Sequence, residues 1–190
     1  SLAPFLRCPV IPLSARIAVI RAVVLPRLLY GAEVYGMNRT LTTKMQSLLN
    51  LALRSLVRLG HWKSLPSFAL WRELGFRPIC ALAAGRRIRA FLKYQELSTW
   101  VSDLVATPYL TRRWTWVTGV GRWTTRHCPP HSPLSQQQWD RWQGWTQHEA
   151  KGNVEEAITT REESIRLHGY RKRPETDWYT TGDYTESPLC

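Results

Sequence analysis

Apolar and polar positions alternate along most of this chain with a helical period. Between Thr42 and Leu59, the residues Met45, Leu48, Leu49, Ala52, Leu53, Leu56 and Val57 fall on one broad face. Lys44, Arg54 and Arg58 fall on the other. Such a stripe is the mark of an amphipathic helix with one buried side. Thr40 or Thr42 is its candidate N-cap, and Gly60 lies just past its end. A second long helix is expected from about Pro78 to Trp100. There Ala81, Ala84, Ile88, Phe91, Leu92 and Gln95 share a face. Arg86, Arg89 and Lys93 lie nearly opposite, and Arg87 lies on the flank. Leu97 and Trp100 fall on the basic side, so this helix either bends near Glu96 or has its end covered by another element.

The remaining elements follow from punctuation. Pro4, Pro9 and Pro12 predict an extended lead-in over residues 1–13. Ser14 caps a helix from about Ala15, which Pro26 kinks or ends, and Arg27–Val34 continues as a second piece with Gly36 as its stop. Ser67–Leu74 reads as a short helix closed by Gly75. Residues 107–133 are rich in Gly, Pro and Thr and read as an ordered Trp/Arg loop segment. Ser135 caps a further helix with Trp139, Trp142 and Trp145 on one side. Asn153 and Glu156 have the form of a capping box for a last helix to about Leu167. The result is an all-α chain in four parts: a basic helical domain over 1–106, a Trp/Arg loop segment over 107–133, an acidic helical extension over 134–168, and a flexible tail over 169–190. No internal repeat is visible.

Charge changes the picture. Residues 1–126 hold 19 Lys/Arg against 4 acids, a net of +15, whereas residues 127–190 hold 7 against 10, a net of −3. The first part is therefore a candidate polyanion surface and the second is not. Arginine outnumbers lysine 21 to 5, which suits bidentate phosphate binding. Cys8, Cys80, Cys128 and Cys190 are scattered, with no paired spacing, and read as free thiols in a reducing intracellular compartment, the mitochondrion and the nucleus being the alternatives. The apolar run Ile17–Leu29 is interrupted by Arg21 and Arg27 and is shorter than the roughly 20 residues of a membrane span, so no membrane association is expected. The chain begins at Ser1, as a processed product, an excised domain or a fragment would.

The stretch PLSARIAVIRAVVLPRLLYGAEVYG, from Pro12 to Gly36, resembles the segment that follows the catalytic palm in reverse transcriptases of non-LTR (LINE-type) retrotransposons. The stretch LPSFALWRELGFRPICALAAGRRIRAFLKY resembles that family's short helix, ELG-x-x-P turn and long arginine-bearing helix, and WTWVTGVGRW, from Trp114 to Trp123, resembles a W-V-x-G-x-x-R-W element downstream. The resemblance covers about residues 1–126 and is to the family's C-terminal thumb region. It implies a helical bundle that grips the backbone of RNA or of an RNA–DNA duplex. The family's catalytic aspartate pair has no counterpart: Asp103, Asp140, Asp177 and Asp183 are isolated, so two-metal phosphoryl chemistry has no site and no enzyme is expected.

Arg86, Arg87, Arg89 and Lys93 are the first candidate phosphate-binding cluster, and Arg54 and Arg58 the second. Arg112, Arg113, Trp116, Arg122 and Trp123 are candidates for stacking single-stranded bases, against the favoured alternative that Trp114, Trp116 and Trp123 fold back over the helical core. His127, Cys128, His131 and His148 match no standard zinc spacing, Cys128 has no third group to make a nucleophile, and no cofactor is expected. Two function classes remain. One is a non-catalytic RNA-binding module, either co-opted into a ribonucleoprotein such as an organellar ribosome or part of an RNA-directed DNA polymerase. The other is a protein–protein adaptor anchored through Trp139, Trp142 and Trp145.

Overall fold

A computed structural model describes residues 2–57, 67–107, 115–127 and 146–171, and within these the chain is all-α. Helix α1 (Ala3–Arg7) corrects the extended lead-in. Pro4 stands in its first turn, where a missing N–H costs nothing, and Leu6 is buried. Pro12 precedes α2 (Leu13–Val19), which starts ahead of the expected Ser14 cap. The helix then widens into a π-turn over Ile20–Val24 before α3 (Leu25–Leu28). Pro26 is the cause: its ring excludes the carbonyl four residues back and it offers no N–H, so the ladder shifts register instead of breaking.

Gly31, at φ 68°, turns the chain into the short α4 (Ala32–Tyr35). Asn38 caps α5 (Arg39–Leu56) by accepting from the Leu41 N–H at 3.1 Å, in place of the expected threonines. Helix α6 (Ser67–Glu73) is closed by Gly75 at φ 67°. Helix α7 (Ile79–Gln95) follows Pro78 and stops five residues short of expectation. Thr99 and Ser102 form a capping box that starts a separate α8 (Trp100–Ala106).

One helix lies where a loop was expected, and another starts earlier than expected. Trp116–His127 is helical (α9), in the middle of the presumed loop segment. Each interior glycine costs a helix about 1 kcal/mol, but Val120 and Thr124 are fully buried and Thr115 and Thr118 cap the start reciprocally. Packing thus overrides propensity. The last helix, α10 (Gln147–Arg171), begins two turns before Asn153. Its capping box is Thr146 with Glu149: the Thr146 N–H donates to Glu149 Oε2 at 2.9 Å, and the Glu149 N–H returns to Thr146 Oγ1 at 3.3 Å.

Helix α7 is the spine. Small residues Ala81, Ala83, Ala84, Gly85 and Ala90 are buried along it and let neighbours approach closely. Its N-terminal half shares a core with α1, α3, α5 and α6 through Leu6, Leu28, Leu53, Phe68 and Ile79. The C-terminal half shares another with α8, α9 and α10 through Ile88, Phe91, Val105, Val120 and Val154. The helix of the acidic extension therefore packs on the spine of the basic part. Glu155 lies so close to Gly85 that a Cβ there would fall 2.5 Å from Glu155 Cγ, and Glu155 Oε2 meets Arg77 Nη1 at 2.7 Å. The expected helix after Ser135 and the tail beyond residue 171 lie outside the described residues.

Candidate nucleic-acid interface

Short helices leave many C-terminal carbonyls without partners, and in this protein arginines meet that need. Arg16 Nη1 donates to Leu6 O at 3.0 Å and Leu56 O at 2.9 Å, joining the ends of α1 and α5. Arg21 Nη2 donates to Leu74 O and Gly75 O beyond α6, and its guanidinium lies 5.3 Å from the Phe76 ring centre. Arg86 Nη1 donates to Leu29 O past α3 at 3.0 Å. Arg87 Nη1 donates to Val34 O in α4 at 2.9 Å, and its Nη2 to Trp116 O at 3.0 Å. These four arginines are thus structural, a role the amino-acid pattern did not reveal for Arg16 and Arg21.

This sorts the candidate residues. Arg87 is corrected from a phosphate ligand to an internal strut: it is 9% exposed, lies over the Trp116 ring at 5.6 Å, and burial lowers its pKa to about 10, so it stays charged at neutral pH. Trp116 is likewise turned inward. Its indole N–H donates to Glu33 O at 2.9 Å and its ring packs against Phe91 and Tyr94. Trp123 is half-buried against the second core, while Arg122 is exposed on α9. Arg54 is exposed and donates to Ser67 Oγ at 2.9 Å. Arg58, Arg112 and Arg113 lie outside the described residues, as do Trp114, Cys128, His131, Trp139, Trp142 and Trp145.

What remains is a stripe on the solvent side of α7. Arg86 is half-buried at its start, and Arg89 and Lys93 are exposed one and two turns on. Spacings of three and four residues put all three on one face. Among the described residues, no carboxylate comes within ion-pair distance of any of them. Beside the stripe, Tyr30 in the turn between α3 and α4 and Val34 on α4 are 86% and 70% exposed. Neither was a candidate from sequence: both fall in the helical piece expected over Arg27–Val34, to which no binding role was given.

Among the described residues, Cys80 has the most altered thiol. It lines a cleft of about 300 Å³ between α5, α6 and the end of α10, with Arg39, Gln46, Glu162 and Arg166 on its walls. Burial, helped by the Glu162 carboxylate, pushes its pKa from 9.0 up to about 12. The folded thiol keeps its proton where an unfolded one loses it. This contribution to stability is therefore present below pH 9.0 and is lost as pH rises towards about 12. At pH 8, iodoacetamide should label Cys8 in the folded protein and leave Cys80 at least about tenfold slower. Peptide mapping would show the difference, and it should vanish in denaturant.

Among the described residues, no three His, Cys, Asp or Glu side chains gather as a metal site would require, and no helix is long and apolar enough to cross a membrane. No protein-family model, curated protein or solved structure matches this chain.

Proposed function

We propose that this chain is a non-catalytic RNA-binding module built on a reverse-transcriptase-like thumb. It serves either as a structural component of a ribonucleoprotein, such as an organellar ribosome, or as the duplex-gripping part of a larger polymerase. The observation that carries the reading is the Arg86–Arg89–Lys93 stripe. Three cations share one face of the most deeply packed helix, and among the described residues no carboxylate neutralises them. The helical spine fixes their backbone, so little backbone order has to be gained on binding. The excess of +15 over residues 1–126 adds long-range attraction for a polyanion.

Arg89 and Lys93 are the residues to test, because they hold no other part of the fold, whereas Arg86 caps Leu29. Arg89→Glu with Lys93→Glu is expected to weaken binding to a structured RNA by tenfold or more, with an unchanged melting temperature. Fluorescence anisotropy would measure it. A protein–protein adaptor is the second reading, favoured by Leu48 and Leu51, which stand 52% and 63% exposed on α5. RNA affinity untouched by the charge reversals would favour it.

A further inference from the structure

The stripe on α7 is bordered by an aromatic side chain that nothing in the fold uses. Tyr30 is 86% exposed, while its neighbours Leu29 and Ala32 are 4% and 0% exposed. The left-handed turn at Gly31 reverses the chain there, so the residues on either side plug the core as Tyr30 points outward. The turn is held on both sides. The Tyr30 N–H donates to Arg27 O, and the carbonyl immediately before Tyr30 accepts Arg86 Nη1 at 3.0 Å. The platform is therefore tied directly to the first cation of the stripe, and exposed Arg27 stands one turn back along the chain.

We propose that Tyr30 is a stacking platform for an unpaired RNA base, so that this interface takes single-stranded RNA in preference to a continuous duplex. The proposal rests on the RNA-binding reading and deepens it. Single-strand binders pair a cationic track with aromatic faces, because every base has a π-face while only unpaired bases can leave their stack. The other aromatic residues near cations are committed elsewhere: Trp116 faces inward, bonded to Glu33 O. Trp100, 73% exposed, shares its cleft with Asp103, Leu104 and Thr107, which suits a polyanion poorly. Tyr30 alone among these combines an open ring with adjoining arginines, Arg27 on its own turn and Arg86 bonded to the preceding carbonyl. Val34, 70% exposed on the next helix, extends the same apolar ledge for the sugar or base edge.

The test compares a labelled oligouridine with a blunt RNA duplex of equal length by anisotropy. The proteins are the full chain, Tyr30→Ala, Tyr30→Phe, and the Arg89→Glu/Lys93→Glu variant. Tyr30→Ala should weaken oligouridine binding by about tenfold, Tyr30→Phe should restore it to within about twofold, and neither should change duplex affinity. Unchanged oligouridine binding by Tyr30→Ala, or an equal loss on strand and duplex, overturns the stacking proposal. If the charge reversals still weaken both RNAs in that case, the basic interface stands without it. If the charge reversals also leave both RNAs untouched, the RNA-binding reading falls too. Because the side chain lies in solvent, the melting temperature of Tyr30→Ala should match the unaltered protein, which separates a lost contact from a lost fold.

Discussion

Gly36→Ala is expected to destabilise the protein by roughly 3 kcal/mol or more, read as a lower urea midpoint in circular dichroism. Gly36 has φ −54° and ψ −21°, which any residue adopts, so no conformational strain is involved. In an open helix the same change would stabilise by about 1 kcal/mol. Space decides the sign. A Cβ at Gly36 would fall 2.5 Å from Ala32 O and closer still to Ala83 O. The obstacle at Ala83 is the backbone of α7 itself, which cannot swing aside as a side chain can. Helix α4 would have to lift off the spine, loosening the Arg87 bond to Val34 O and the Trp116 bond to Glu33 O together. Gly152→Ala is the matched control. That position lies inside α10 and its added Cβ would meet nothing within 4 Å, so it should be neutral or mildly stabilising. Equal effects at the two sites would show that α4 does not touch α7 this closely.

The second large effect is expected at Arg87. Arg87→Met keeps most of the apolar stem but removes two donors from Val34 O and Trp116 O, which sit on different helices. A hydrogen bond from a charged group is worth about 1.5–3 kcal/mol. Val34 O, near the end of α4, is left without its donor, whereas Trp116 O keeps its place in the first turn of α9. Removing a buried charge returns part of that, since Arg87 has no carboxylate partner among the described residues and burial already lowers its pKa to about 10. The net loss should be roughly 2–3 kcal/mol, or about 5–10 °C in melting temperature for a chain of this size. Arg87→Lys should recover little of it, because one ammonium cannot span two carbonyls as a guanidinium fork does. A melting temperature unmoved by Arg87→Met would contradict the strut role and return Arg87 to the set of free surface cations.

Periodicity made the two long helices legible, because Leu49, Leu53 and Leu56 on one, and Ala84, Ile88 and Phe91 on the other, repeat at helical spacing and are buried. Their surroundings were harder to read. Arg87 sits on the flank of its helix in projection, and a wheel carries no information about which neighbours cover a flank. Here α4 and α9 do, and they turn a surface cation into a core residue. Helix α9 was hidden by Gly119 and Gly121, whose helix-breaking cost is offset by burial of Val120 and Thr124, a tertiary effect. Thr146 and Glu149 did carry a readable capping signal in sequence, and the weaker Asn153 pattern masked it. Tyr30 and Val34 lie just past the apolar run Ile17–Leu29, and their exposure follows only from the turn at Gly31 and the docking of α4.

The arginine excess has a similar history. As composition it pointed to polyanions, and the fold diverts Arg16, Arg21, Arg86 and Arg87 to backbone carbonyls. A chain of many short helices needs donors for its exposed helix ends, and arginine reaches two at once. The exposed remainder on α7 is smaller than charge alone implied, and it is spatially coherent.

The measurement that tests the RNA-binding account most directly is the salt dependence of oligouridine affinity. Each phosphate contact on a single strand contributes about 0.7 to the slope of log affinity against log salt. Reversing Arg89 and Lys93 should therefore flatten the slope by about 1.4 while lowering affinity at every salt concentration. An affinity and slope identical to those of the unaltered protein would contradict the account.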